Sequence, residues 1–206
     1  MRVFRCAGFA LVCIVATGAV NAQTDETTTY RDPVNGVTFA YPSAWISDTG
    51  LSFYLGTEIL DPAIPDKPEL EAKEIVGFSG ATFQQYKGTN LDGLEFAYLV
   101  LPGIGEPACK ARITRFQGPG DQKASNVTIH GRTFLHLATG DAGLGHGAGR
   151  DMYETYAADR CYLFEADVHV ENLSDGRQLT PKEMDALRAM LLRVMQSVRI
   201  SAPTGK

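Results

Sequence analysis

The sequence has few cysteines, a single tryptophan and no excess of positive charge. Its 206 residues include 4 Cys, 1 Trp, 19 Lys and Arg, and 24 Asp and Glu, which gives a formal net charge of −5. An acidic chain of this kind has no general attraction to nucleic acid or anionic lipid, so we expect no nucleic-acid partner. The glycine, proline and hydrophobic contents are ordinary, which excludes collagen-like, coiled-coil and disordered proteins.

The N-terminal apolar stretch is too short for a transmembrane helix. It covers residues 6–20, which are 15 residues, whereas a spanning helix needs about 20. Two arginines precede it, and Val20-Asn21-Ala22 follows it as an A-x-A-like cleavage signal. The pattern predicts a secretory signal peptide over residues 1–22, cleaved after Ala22, with an uncleaved anchor as the alternative. We therefore expect a periplasmic or secreted protein without a stable membrane span.

Cleavage would leave two cysteines, Cys109 and Cys161, and a formal charge of −7, because residues 1–22 contain two arginines and no acids. No C-x-x-C motif is present. In an oxidising compartment a single pair predicts a structural disulfide, and closing a loop of this length contributes about 4 kcal/mol. A redox couple or a thiol nucleophile is the alternative.

The hydrophobic pattern predicts one α+β domain over residues 33–200, after a short disordered leader over 23–32 and before a tail over 201–206. The leader is polar and threonine-rich. Alternation of apolar residues predicts strands at 36–41, 94–101, 127–129, 132–137, 151–157 and 161–170. The strands follow one another as hairpins with few helices between them. We therefore expect a mainly antiparallel β-sheet covered by helices.

A C-terminal helix is predicted from its N-terminal signal. Thr180 is placed as the N-cap, Pro181 as the first helical residue and Glu183 as the partner of a capping box. Apolar residues then recur at helical spacing from Met184 to Val198. This stripe is expected to pack on the sheet.

Two short motifs point to catalysis or cofactor binding, and neither has the context it needs. Residues 77–81 (GFSGA) resemble a nucleophile elbow around Ser79, which requires a strand, a helix and a parallel α/β sheet. Residues 143–148 (GLGHGA) match a dinucleotide fingerprint, but the segment that follows reads as a strand rather than a helix. We expect no cofactor, and Ser79 stays as the candidate nucleophile of an alternative hydrolase.

The four histidines show no metal-binding motif such as H-E-x-x-H. His136 and His169 fall in predicted strands, where they would bind zinc or copper if the strands were neighbours. Two histidines on a solvated face are the alternative. These two residues are the candidate metal ligands.

A glycine-rich segment, residues 140–149 (GDAGLGHGAG), predicts a pliable loop. His146 lies in this segment, and Arg150 and Asp151 follow it. A flexible loop with charged residues at its end is able to close on a ligand, so these three residues are the candidate ligand-binding set. A hairpin connection that happens to be glycine-rich is the alternative.

Residues 36–45 (GVTFAYPSAW) resemble the opening strand signature of PsbP-like extracytoplasmic domains, G-x-x-F-x-Y-P-x-x-W. The later run through His146, Tyr153, Tyr156 and Cys161 to a final helix is similar to uncharacterised secreted bacterial proteins of that general shape. The resemblance implies an antiparallel sheet sandwiched by helices. It implies a binding or assembly module and supplies no catalytic residues.

Taken together, these patterns predict a secreted, periplasmic, non-enzymatic module of the cell envelope that binds an envelope protein or a small ligand. The alternatives are a hydrolase that uses Ser79 and a metal-binding protein that uses His136 and His169.

Overall fold

The structure is a computed structural model that describes residues 26–47, 74–79, 84–119, 122–143, 146–171 and 176–204. The predicted signal peptide over residues 1–22 lies outside these ranges.

The described residues form strands and two α-helices in an α+β arrangement. The strands are β1 (Thr27–Asp32), β2 (Val37–Pro42), β3 (Ile46–Ser47), β4 (Glu74–Ser79), β5 (Leu91–Pro102), β6 (Ser125–Ile129), β7 (Arg132–Gly143), β8 (His146–Ala157), β9 (Arg160–Glu171) and β10 (Arg199–Ile200). The helices are α1 (Glu106–Lys110) and α2 (Pro181–Ser197), and short 3-10 turns occur at Gln84–Tyr86 and Ile113–Phe116.

The strands form two antiparallel sheets. The small sheet has the order β1-β2-β10, and the large sheet has the order β3-β4-β5-β9-β8-β7-β6. Every pair of neighbouring strands in both sheets is antiparallel. The predicted α+β class with a mainly antiparallel sheet is confirmed.

Helix α2 begins where its capping box was predicted. The Glu183 backbone N–H donates to Oγ1 of Thr180 at 3.3 Å, and the Thr180 N–H donates to Oε2 of Glu183 at 2.8 Å. The buried side of the helix carries Leu187, Leu191, Val194 and Met195. It packs chiefly on β9, β5 and β2, so one helix joins the small sheet to the large one.

The large sheet has an apolar core on each face. On the α2 face, aromatic side chains of β5 and β9 dominate, including Phe96, Tyr98 and Phe164. The opposite face is covered by α1 and the turn at Ile113–Phe116, over Leu99 and Leu163. Because side chains alternate along a strand, neighbouring residues of β5, β8 and β9 belong to different cores.

The disordered leader expected over residues 23–32 is wrong for residues 27–32, which form β1 and pair with β2. Tyr30 explains the order. Its ring lies 4.8 Å from the ring of Phe39, and its hydroxyl is 3.0 Å from the hydroxyl of Tyr98 on the large sheet. Asp32, the last residue of β1, accepts a hydrogen bond from the Tyr98 hydroxyl at 2.8 Å.

The predicted disulfide is present. Cys109 of α1 is bonded to Cys161 of β9, with their Cα atoms 5.5 Å apart. Both cysteines are buried in the core opposite α2. The bond holds the short helix α1 against the sheet.

Candidate functional site

The glycine-rich segment 140–149 is mostly strand, which corrects the predicted loop. Gly140 pairs with Gly149, and Gly143 pairs with His146, so the segment forms the far end of the β7–β8 hairpin. Residues 144 and 145 between the strands lie outside the described residues. The antiparallel register set by the rest of the hairpin continues into the glycines, because β-pairing uses only backbone groups.

The candidate ligand-binding set is not brought together. Arg150 and Asp151 are neighbours in β8, so their side chains point to opposite faces of the sheet. Arg150 is buried on the face opposite α2, where its Nε lies 2.5 Å from Oε1 of Glu165. Asp151 is on the α2 face beside His136. His146 pairs at the hairpin end, five residues before Asp151 in the same strand.

The candidate metal ligands also lie on opposite faces. His136 is opposite Tyr153 in the β7–β8 register, on the α2 face. His169 is on the other face, with its Nε2 4.0 Å from Oδ2 of Asp167. The structure therefore does not place these two histidines at one site. The alternating pattern correctly placed both histidines in strands, but the face that each histidine occupies depends on the register between strands.

Ser79 is the last residue of β4 and pairs with Gly93 of β5 in an antiparallel register. A nucleophile elbow sits between a strand of a parallel sheet and a helix. Residues 80–83, which follow Ser79, lie outside the described residues. The sheet around Ser79 thus differs from the setting that the predicted motif requires.

A groove on the α2 face is the candidate site, because it combines apolar side chains with a histidine–aspartate pair. Because α2 packs on β9 and β5 within the large sheet, strands β8, β7 and β6 extend beyond its flank. The groove between this flank and the sheet has a volume of about 630 Å³, within the range of about 300–1,000 Å³ typical of small-ligand sites. Its walls include Val127, Ile129, His136, Tyr153, Arg188 and Leu192.

A histidine–aspartate pair lies on the floor of the groove. Nε2 of His136 is 2.7 Å from Oδ1 of Asp151, and the two side chains are 22% and 27% exposed. The His136 ring stacks on the ring of Tyr153 with centroids 4.5 Å apart. Burial, together with the negative charge of Asp151, raises the pKa of Tyr153 above its ordinary value. Two contacts therefore fix the imidazole and leave Nδ1 as its second hydrogen-bonding atom.

The flank of α2 adds a cation and an apolar side chain. The Arg188 side chain lies over Gly149. A β-carbon added to Gly149 would be 2.9 Å from Nη2 of Arg188. Leu192, one turn later, is 42% exposed at the groove. The sequence patterns did not identify Arg188, Leu192 or Tyr153 as site residues. One signal was available for Leu192, which follows Leu191 and therefore falls beside the buried stripe of the helix.

The face opposite α2 holds a second group of charged residues, and these are buried. Glu95, Glu165 and Asp167 lie around Arg150. Burial raises the pKa of Glu95 to about 7, with the charge of Glu165 adding to the rise and Arg150 opposing it. Burial and Glu165 likewise raise the pKa of Asp167 well above its ordinary value. A pKa of about 7 lets Glu95 exchange its proton near neutral pH, and all three carboxyl groups are enclosed by the fold.

Within the described ranges, no helix has the length and apolar character needed to cross a membrane. Among the same residues, one group of three metal-ligand side chains is found, formed by Cys109, Cys161 and Glu154. Both of its sulfur atoms belong to the disulfide.

No protein-family model matches the chain, and no curated protein sequence is significantly similar to it. Solved structures give distant alignments. Cyanobacterial PsbP (CyanoP) from Synechocystis sp. PCC 6803 aligns over 88% of this chain and 96% of its own, with 11% identity and a TM-score of 0.45. LpqN of Mycobacterium tuberculosis, a protein involved in cell envelope biogenesis, aligns over 85% and 91%, with 12% identity and a TM-score of 0.45.

A third alignment is with a protein of unknown function from Pseudomonas aeruginosa. It covers 87% of this chain and 99% of that one, with 14% identity and a TM-score of 0.44. One of the three aligned structures is a PsbP protein, the family whose opening strand residues 36–45 resemble.

Proposed function

We propose that the protein is an exported, non-enzymatic binding module of the cell envelope, and that the groove between α2 and strands β6 to β8 holds a small ligand. The observation that carries the proposal is the groove itself. It combines an apolar flank with a fixed His136–Asp151 pair, which is the composition of a small-molecule site. An envelope protein that inserts a side chain is the alternative occupant.

Export is supported by the predicted signal peptide, residues 1–22, and by the disulfide. Disulfides persist in oxidising compartments and are rare in the cytosol, and the Cys109–Cys161 bond is buried in a core of the domain.

The surroundings of His136 favour binding over covalent catalysis. A hydrolytic histidine is hydrogen-bonded to the hydroxyl or thiol that it activates. Among the residues that the structure describes, Asp151 is the hydrogen-bonding partner found for the His136 side chain. The imidazole is therefore placed to orient or hydrogen-bond a ligand.

Export is tested on the full-length chain expressed in a bacterial host. We expect the protein recovered from the periplasm to begin at Gln23 and to have a mass about 2 Da below that of the dithiol form. Protein that accumulates in the cytosol with Met1 attached and with both Cys109 and Cys161 reduced would contradict the proposal.

Filling the groove tests the binding site. Ala189 lines the groove on the exposed side of α2, so Ala189→Trp is expected to occupy it. The measurement is the fluorescence of N-phenyl-1-naphthylamine, a neutral dye that brightens in apolar sites. We expect Ala189→Trp to weaken dye binding about tenfold, since it removes apolar contact area.

Ala186→Trp is the matched control, because Ala186 is exposed on the same helix and is not part of the groove lining. It is expected to bind the dye as the unmodified protein does. Equal dye binding by both variants, or no dye binding by the unmodified protein, would overturn the assignment of the groove.

A further inference from the structure

We propose that the ligand of this groove is an amphiphile with one anionic head group, held by Arg188, and an apolar chain that lies along Leu192 and strand β6. The inference rests on the proposed function and adds the chemical class of the ligand. It follows from the order of cationic, aromatic and apolar side chains along the groove.

The head-group position is given by Arg188. Its guanidinium lies against the backbone of β8 at Gly149, where the missing side chain allows the close approach. Within the described part of the chain, no carboxylate lies within ion-pair distance of Arg188. A guanidinium at a groove wall with donors to spare is well suited to a carboxylate or phosphate, which it binds in a bidentate manner.

The apolar part of the ligand is assigned to the other residues of the groove. Leu192 is 42% exposed on the α2 flank, and Val127 and Ile129 of β6 lie across from it. The buried Tyr153 ring forms part of the floor. Covering an exposed leucine and the apolar side of β6 removes hydrocarbon from water, which favours an alkyl or aryl chain as the occupant.

Besides Arg188, the ionisable side chains that line the groove are those of His130, His136, Asp151, Tyr153 and Asp185. The carboxylate of Asp151 is hydrogen-bonded to His136, so its negative charge lies beside the imidazole. Asp185 is exposed one turn before Arg188 on α2 and lines the same groove. Its carboxylate opposes an anionic head group. His130, at the β6–β7 turn, is exposed at the far end. The inference therefore predicts opposite effects for neutralising Arg188 and Asp185.

The test uses displacement of N-phenyl-1-naphthylamine from the whole protein by three compounds with the same chain. These are decanoate, decanol and decyltrimethylammonium, each used below the concentration at which it forms micelles. We expect decanoate to displace the dye at a concentration about tenfold lower than either of the others, as a charge-assisted hydrogen bond supplies this factor.

Substitutions locate the head group. Arg188→Gln is expected to weaken decanoate about tenfold and to leave decanol unchanged, whereas Asp185→Asn is expected to strengthen decanoate. Arg193→Gln is the matched control, because Arg193 is exposed on the same helix and lines a different depression. It is expected to change neither compound. Thermal melting of each variant verifies that the fold is intact.

Two results would overturn this inference while leaving the proposed function in place. One is equal displacement by all three compounds from a groove that Ala189→Trp still blocks. The other is an equal effect of Arg188→Gln and Arg193→Gln on decanoate. If Ala189→Trp leaves the dye signal unchanged, the groove is not the binding site, and both proposals are contradicted.

Discussion

Raising the pH from 5 to 8 is expected to lower the free energy of unfolding by about 3–5 kcal/mol. Two buried glutamates carry most of this effect. Burial raises the pKa of Glu95 to about 7, with the charge of Glu165 adding to it and Arg150 opposing it. Burial also raises the pKa of Glu154 to about 7, opposed by the Ile113 backbone N–H and by Arg112.

The sign follows from where the protons are bound. In the unfolded chain each glutamate has its ordinary pKa of 4.5, so between this pH and 7 the folded state holds more protons. Stability from these groups is therefore fully present below about pH 4.5 and is lost as the pH rises through 7. Asp167 acts in the same direction. His169 acts in the opposite direction, because burial lowers its pKa, and offsets part of the change.

Urea unfolding at pH 5, 6, 7 and 8 measures how the free energy of unfolding depends on pH. Two variants test which residues cause this dependence. Glu154→Gln is expected to reduce the slope by about half, since it removes one of the two glutamates with a raised pKa. Glu106→Gln is the control, because Glu106 is exposed and pairs with Lys110 at the surface. A stability that is constant or rises across this range would show that these carboxyl groups are ionised in the folded protein.

Strands, helix starts and hairpins that depend on residues close together in the chain were predicted correctly from the sequence. The alternating stripe of β9, the Thr180–Glu183 capping box and the hairpin of β6 and β7 all appear in the structure. Each depends on residues that are a few positions apart and on the period of a strand or a helix. The disulfide was predicted in a different way. An oxidising compartment favours disulfides, and each of the two cysteines left after cleavage has one possible partner.

His136 and Asp151 were predicted as members of two separate sites, and the groove that joins them was not predicted, since it depends on contacts between distant elements. The face that His136 occupies is set by the register of β7 against β8, and a shift of one residue would reverse it. The groove exists because α2 covers β9 and β5 and leaves β6 to β8 open. Strand β1 was missed for the same reason, since its order comes from pairing with β2 and from the contact of Tyr30 with Phe39.

Replacing the buried arginine, Arg150→Met, is expected to destabilise the protein by about 3–5 kcal/mol at pH 7.5. Its guanidinium is 2.5 Å from Glu165 and 3.5 Å from Asp167, and both carboxylates are almost completely buried. Without the cation, these acids are left in the interior with no compensating charge, which is the costly way to break a buried ion pair. Urea unfolding measures the loss, and Arg193→Met, on the exposed side of α2, is the control for removing an arginine.

Two further measurements separate lost charge compensation from lost packing. The positive charge of Arg150 lowers the pKa of Glu95 and Asp167, so its removal allows these groups to hold their protons to higher pH. The cost of Arg150→Met is therefore expected to shrink at pH 5. Adding Glu165→Leu is expected to recover part of the stability at pH 7.5, because apolar residues replace a buried pair at little cost. A loss that is the same at both pH values, and that Glu165→Leu only deepens, would show that Arg150 acts through packing of its alkyl chain.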